Sequence, residues 1–347
     1  MKLYQKETGW ANMEEIMQAP TPFILCVGGR GTGKTYGSVK YLLEQEIPFI
    51  YLRRTSSQME LVAKDEFSPI VKIGRDIGMV LTTVPLSKYA AGVYKLNAEG
   101  KPAGDPVCLL MALSTMANAR SFDASRIKLI LYDEAIPERH ERTISQFEGD
   151  AFLQMYESVN RNRELDGEEP VKCVVLANAN NLEAPILKAL NCVKTLDTMR
   201  KRHQSYKEDS YIGLTIVLLQ DSPISANKRQ TALYKLTMGQ GDFSDMALDN
   251  AFSKDNYTDV SPRPLQEYRS CAAIGSICLY EHKSNHTWYV SERISGSPEM
   301  YENTPTDRQR FRKAWFESWQ DYFNKRTIFE SAPAKVFYKA VMMETLK

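Results

Sequence analysis

The chain has 347 residues, 43% of them hydrophobic and 25% charged, and a net charge of +1; this is the composition of an ordinary globular protein with room for two domains. A balance so close to neutral excludes a global field for polyanions, so any nucleic-acid contact must rest on local basic patches. No apolar run approaches a membrane span in length and residues 1–7 lack the apolar core of a secretion signal, so neither a membrane partner nor export is expected.

In chain order, residues 11–17 read as a short helix, and Pro20 and Pro22 open the apolar strand 23–27. Gly28-Gly29-Arg30-Gly31-Thr32-Gly33-Lys34-Thr35 follows. It fits the G-x-x-x-x-G-K-[ST] phosphate-binding pattern at every fixed position, with a strand before it and a helix to about Gln45 after it. Strand 48–52 closes on Arg53 and Arg54, and helical stretches occupy 56–76. Strand 79–84 comes next, then a hairpin of 89–96 and 107–113 around the turn-rich 97–105. Residues 127–132 form a buried strand ending in Asp133-Glu134, 147–161 a helix, and 171–177 a second buried strand ending at Asn178. Such alternation indicates an α/β domain with a central, mainly parallel sheet flanked by helices, which with the 28–35 motif reads as a P-loop NTPase domain.

The character changes after about residue 195. Arg200-Lys201-Arg202-His203 is basic, 212–219 is one more strand, and 221–262 is rich in Ser, Asp, Asn, Gly and Gln. The expected division is therefore a first domain over 1–198, a linker region over 199–250, and a smaller α+β domain over 251–347. That last domain should hold strands near 271–280 and 286–293 and a helix over 306–325. Cys26, Cys108 and Cys173 lie in strand-like runs and read as reduced core residues. The spacing Cys271, Cys278, His282, His286 admits zinc, but 282–286 reads better as a hairpin tip.

The glycines of 28–35 let backbone N–H groups turn inward on phosphate oxygens, and the helix N-terminus adds its dipole. Lys34 would reach the β/γ-phosphates of a nucleoside triphosphate and Thr35 would hold Mg²⁺. Asp133, at a buried strand end, supplies a second metal-side ligand, and Glu134 a carboxylate that polarises an attacking water. Binding and hydrolysis of a nucleoside triphosphate are therefore expected together. Two readings of Asn178 stand side by side: a sensor of the γ-phosphate or water, and a strand-ending Asn that starts a turn. Arg120, Arg161 and Arg163 are the candidate guanidiniums for the transition state, serving a neighbouring subunit's site, against the plain reading of solvated helix-end arginines.

Residues 28–35, 49–54, 129–134, 160–164 and 176–179, with a fainter match at 246–252, together resemble the DNA-packaging ATPases of small tailed phages of the phi-29 type. The likeness covers most of 20–185 and thins towards the C-terminus. The resemblance implies an additional-strand P-loop ATPase forming a homopentameric ring at a phage portal. Such a ring drives double-stranded DNA into a procapsid in the host cytoplasm. It implies that Arg161 acts in trans on the neighbour's ATP. It also places Arg120 where relatives carry a cross-subunit lysine, a change that keeps the charge and alters the geometry. The C-terminal domain would resemble an RNase H-like nuclease stripped of its acids, which some relatives anchor on a packaging RNA. Residues 272–280 hold no acid and Glu281 comes only at the strand's end, so two-metal cleavage is not expected.

A ring motor grips DNA phosphates without reading sequence. Arg53, Arg54, Lys64, Lys88, Lys95 and Lys101 are the candidate contacts, Lys101 at the tip of the hairpin, and Lys194 to Lys207 is a second basic stretch. Phe311, Trp315, Trp319, Tyr322 and Phe323 recur at helical spacing, read as the buried face of an amphipathic helix rather than a base-stacking platform. Two other functions compete: a large-terminase-like motor that still cuts DNA, and a non-translocating NTP-binding assembly switch.

Overall fold

The computed structural model describes residues 1–118, 123–138, 141, 144, 147–237 and 258–343. The chain forms two compact units, Met1–Cys192 with Thr198–Phe252 and Val193–Asp197 with Ser253–Lys347. Apolar runs four to six residues long, too short for helices, become inner strands of the first unit's sheet. In order the elements are α1 (Met13–Met17), β1 (Phe23–Gly28), α2 (Lys34–Glu44), β2 (Phe49–Arg53), α3 (Ser56–Val62), α4 (Pro69–Asp76), β3 (Leu81–Pro85), β4 (Ala90–Leu96) and β5 (Pro102–Ala112). Then come β6 (Leu129–Tyr132), α5 (Glu148–Asn160), β7 (Lys172–Ala177), α6 (Pro185–Ala189), α7 (Val193–Lys201), β8 (Tyr206–Asp209), β9 (Leu214–Leu219), α8 (Pro223–Arg229) and α9 (Ala232–Thr237).

The sheet has nine strands in the order β3-β4-β5-β2-β6-β7-β1-β9-β8. The six from β5 to β9 are parallel, as the alternating pattern requires. Antiparallel β3, β4 and β8 finish the two edges. Ile24, Leu25, Ile50, Leu131, Val174 and Val175 are fully buried, which at about 1.5–3 kcal/mol per aliphatic side chain fixes the central register. Tyr132 lies opposite Leu52 and Val175, and Val175 opposite Leu25. The loops after β2, β6, β7 and β1 therefore open on one edge of the sheet.

Two expectations are corrected here. Residues 206–219 are not linker: β9 pairs with β1 over six residues and β8 extends it. The polar sequence of β8 carries no apolar run because it is an edge strand, exposed at Lys207 and Glu208. Nor is 271–280 one strand. It belongs to a hairpin of β10 (Tyr268–Ile274) and β11 (Ile277–His282), turned at Gly275 with φ +54°, a conformation glycine adopts freely.

The second unit continues with β12 (Trp288–Ser291), β13 (Glu299–Tyr301), α10 (Pro305–Ala314), α11 (Phe316–Phe323), β14 (Thr327–Phe329) and α12 (Ala332–Met343). Its sheet order is β13-β10-β11-β12-β14, so it is α+β with mixed strands. The expected single helix over 306–325 is two, interrupted at Trp315 (φ −113°, ψ 30°). Phe311, Trp315, Trp319 and Tyr322 pack with Phe329 and Tyr338, as an amphipathic face should, whereas Phe323 is largely exposed. No helix among the described residues is long and apolar enough to cross a membrane.

Helix α5 meets α6 at Gly149, where an added Cβ would stand 2.8 Å from the Pro185 carbonyl oxygen. Backbone cannot yield as a side chain does. Gly149→Ala is expected to cost about 1–3 kcal/mol, read as a lowered midpoint in urea denaturation; an unchanged midpoint would mean α6 moves freely.

Candidate active site

The turn between β1 and α2 is shaped by Gly31 (φ +60°) and Gly33 (φ +88°), left-handed positions that side chains resist. It wraps the Lys34 ammonium, which donates to the carbonyls of Gly28 (3.0 Å) and Gly29 (2.8 Å) and to Asn178 Oδ1 (3.2 Å). Burial pushes Lys34 down to about 8, partly offset by nearby Asp133. A buried cation held only by neutral oxygens is a site made for an anion.

Asp133 follows β6, is almost fully buried, and gathers side-chain donors from two elements, α2 and β2. Thr35 Oγ1 reaches both its oxygens (3.1 and 3.0 Å), Tyr51 OH donates at 2.6 Å, and Arg53 Nη1 stands at 3.3 Å. The Glu134 amide donates at 3.0 Å. Glu134 takes a left-handed φ of +53°, and its carboxylate is paired with the other arm of Arg53. Burial in the cleft wall raises the Glu134 carboxyl above its ordinary value, and Arg53 pulls it back. A cleft of about 470 Å³ is lined by the loop from Arg30 to Tyr36, by Asp133, Glu134 and Asn178, and by Trp10. Thr35 and Asp133 carry hard oxygen donors of the kind Mg²⁺ takes, so they are the residues that could hold that ion.

Of the expected residues, the structure thus brings together Gly28, Gly29, Gly31, Thr32, Gly33, Lys34, Thr35, Asp133, Glu134 and Asn178. Arg30 turns aside to pair with Glu138. Arg120 and the fainter match at 246–252 lie outside the described residues. Arg163 is buried, donating to the carbonyls of Ile127 (2.8 Å), Ala124 (3.1 Å) and Ser125 (2.9 Å). It is therefore a structural clamp rather than a catalytic arginine.

Arg161 is exposed at the end of α5. It precedes β7, whose first residue, Lys172, pairs with Leu129 at the start of β6. That is the amino edge of the sheet, opposite its own phosphate loop and separated from it by the strands' length, roughly 20 Å at about 3.3 Å per residue.

The DNA-contact expectation fails for two residues. Arg53 is committed to Asp133 and Glu134. Arg54 is 1% exposed and holds Glu148 (2.8 Å) and Glu141 (3.0 Å). Both guanidiniums are therefore engaged in ion pairs within the chain. Lys64, Lys88 and Lys101 are exposed, Lys101 pairing with Glu99 at 3.2 Å on its own hairpin, and Lys95 pairs with Glu46 at 2.5 Å. In the second unit Glu281 is held by Arg269 (2.5 Å) and His286 (3.0 Å). The 282–286 segment is a turn closed by His282 N–H to the Thr287 carbonyl. Two residues escaped the sequence reading: Trp10 in the cleft, and Lys228 of α8, whose ammonium bonds the Arg30 carbonyl.

Unfolded lysine titrates near 10.4, so between about pH 8 and that value the unfolded chain binds more protons than the folded one. Stability of the native residue should therefore rise with pH relative to Lys34→Met, which has nothing to titrate there. Matched urea titrations are expected to show a relative gain of about 2 kcal/mol between pH 7 and 10; a flat difference would place the ammonium in water.

The chain belongs to the podovirus DNA encapsidation protein (Gp16) family, whose sequence profile matches residues 7–289. It is 26% identical over 242 residues to the DNA packaging proteins of Bacillus phages PZA and phi29, covering 68% of this chain and 64% of each relative. The chain thus spans just under two thirds of the curated relatives' length. The fold is that of the Phi-28 gp11 DNA packaging motor (TM-score 0.65, 16% identity, 97% of this chain and 99% of that one). It also matches the bacteriophage Phi-29 viral genome packaging motor assembly (0.63, 16% identity, 98% of each).

Proposed function

We propose that the chain is the ATP-hydrolysing subunit of a ring motor that drives double-stranded DNA into a viral procapsid within the infected host. The observation that carries this reading is the convergence of Lys34, Thr35, Asp133, Glu134 and Asn178 in one cleft, while Arg161 stands at the sheet's other edge. Family membership supports the packaging role, and the named relatives are DNA packaging proteins.

In this mechanism the loop amides and Lys34 bind the β/γ-phosphates of ATP. Thr35 and Asp133 would hold Mg²⁺, which when bound neutralises charge on those phosphates. Glu134 orients and polarises the water, and Asn178 stands between Lys34 and the reacting phosphate. Its contact with Lys34 favours the sensor role over the turn role. A guanidinium that cannot reach its own site can complete a neighbour's, so Arg161 makes each site shared between subunits of a ring, a homopentamer in the family the sequence resembles. A portal, and in some relatives a packaging RNA, would anchor it. Lys64, Lys88 and Lys101 are the remaining candidates for the DNA grip, with Arg120 retained as a second cross-subunit cation.

Glu134→Gln should bind ATP normally and lose turnover by about 10²–10⁴-fold; undiminished turnover would remove both the base and the motor. Mixing inactive Arg161→Ala with inactive Lys34→Ala subunits should restore part of the activity, and no rescue at any ratio would make Arg161 structural. A Lys64→Ala/Lys88→Ala/Lys101→Ala variant should lower the slope of DNA affinity against salt by about one for each DNA phosphate that is no longer neutralised; an unchanged slope would put the grip elsewhere.

A further inference from the structure

The cleft has two kinds of lining. Lys34, Thr35, Asp133 and Glu134 supply charged and polar groups suited to phosphate. Two large aromatics, Trp10 and Tyr36, line it as well and remain 40% and 46% exposed. What sets these two apart from the other exposed aromatics is their place in the lining of the phosphate-site cleft.

Trp10 is also held in place. The amide next to it, Ala11 N–H, donates to the Thr32 carbonyl of the phosphate loop at 2.9 Å. Its own carbonyl accepts from Gln5 N–H at 2.8 Å and its amide bonds Thr8 Oγ1 at 3.3 Å. Tyr4 and Ala11 form a bridge that closes the turn. The indole packs on Gly33, where an added Cβ would stand 3.1 Å from Trp10 Cε3. Tyr36 follows Thr35 on the first turn of α2.

We infer that Trp10 and Tyr36 form a stacking platform for the planar base of the nucleotide whose phosphates lie on the 28–35 loop. The inference rests on the phosphate-site reading above and adds to it a base-binding subsite contributed by the N-terminal segment. The platform makes the cleft complementary to a ligand with an anionic end and a flat apolar end. A purine nucleoside triphosphate has both; an inorganic polyphosphate has only the first. Stacking of a base on an aromatic side chain recurs in nucleic-acid sites and tolerates different bases, because every base has a π-face.

The test uses the full chain, ATP, and inorganic tripolyphosphate as a competitive inhibitor. Trp10→Ala should raise KM for ATP about ten-fold and leave the inhibition constant of tripolyphosphate within about two-fold, with Trp10→Phe restoring the native KM. ATP, and not tripolyphosphate, should quench tryptophan fluorescence in the native chain, and Trp10→Phe should abolish the quench. Tyr36→Leu gives a second route to the same split should Trp10→Ala not fold. Equal rises for ATP and tripolyphosphate would make Trp10 a brace of the loop and overturn the proposal, as would no change in either. Unchanged binding of both ligands in Lys34→Ala would instead overturn the phosphate site itself.

Discussion

One buried carboxylate organises the first unit. Asp133 is 4% exposed, and an isolated buried charge would cost several kcal/mol. Four groups meet that cost: Thr35 from the start of α2, Tyr51 and Arg53 from β2, and the Glu134 amide. Because Asp133 is fixed to β6, these donors must come to it, which demands that β2 and β1 end level with β6. The strand register supplies that condition, with Tyr132 opposite both Leu52 and Val175. Burial and Asp133 together hold the Tyr51 hydroxyl protonated, so it remains a donor.

The adjacent arginines at the end of β2 divide the work. Successive side chains of a strand point to opposite faces, so Arg53 reaches Asp133 and Glu134 while Arg54 turns to Glu148 and Glu141. Glu148 begins α5, and Arg161 ends it. The Glu134 carboxylate and the helix that presents Arg161 therefore hang on adjacent residues, the last of β2 and the one after it. Removing Arg54 would leave two carboxylates near α5 without their partner, a far larger disturbance than losing a surface charge.

What was legible in the sequence was whatever depends on neighbours in the chain. The phosphate loop, Asp133-Glu134 and Asn178 are strand-end residues, and the strands announce themselves as apolar runs. Arg53 and Arg54 looked like surface charges because their partners lie 80 to 94 positions away. Arg161 and Arg163 sit two residues apart in one motif, yet only burial against the 124–127 carbonyls separates clamp from exposed arginine. Trp10 and Lys228 were missed for the same reason, since each meets the loop only through tertiary contact. The polar edge strand β8, the break at Trp315 and the Gly275 turn escaped notice because none alters the count of apolar residues.

The insertion of β7 between β1 and β6 is the remaining step from topology to chemistry. It places Asn178 between the phosphate loop and Asp133, within reach of Lys34, so the tip of that strand faces the position where the terminal phosphate would sit. The same strand begins beside Arg161 at the far edge. Parallel strands force this polarity: every residue that follows a strand gathers on one edge, and every residue that precedes one gathers on the other. Under the proposed roles, such a chain carries its loop, metal carboxylate, base and polar sensor on one side, and the exposed arginine that would serve a neighbour on the other.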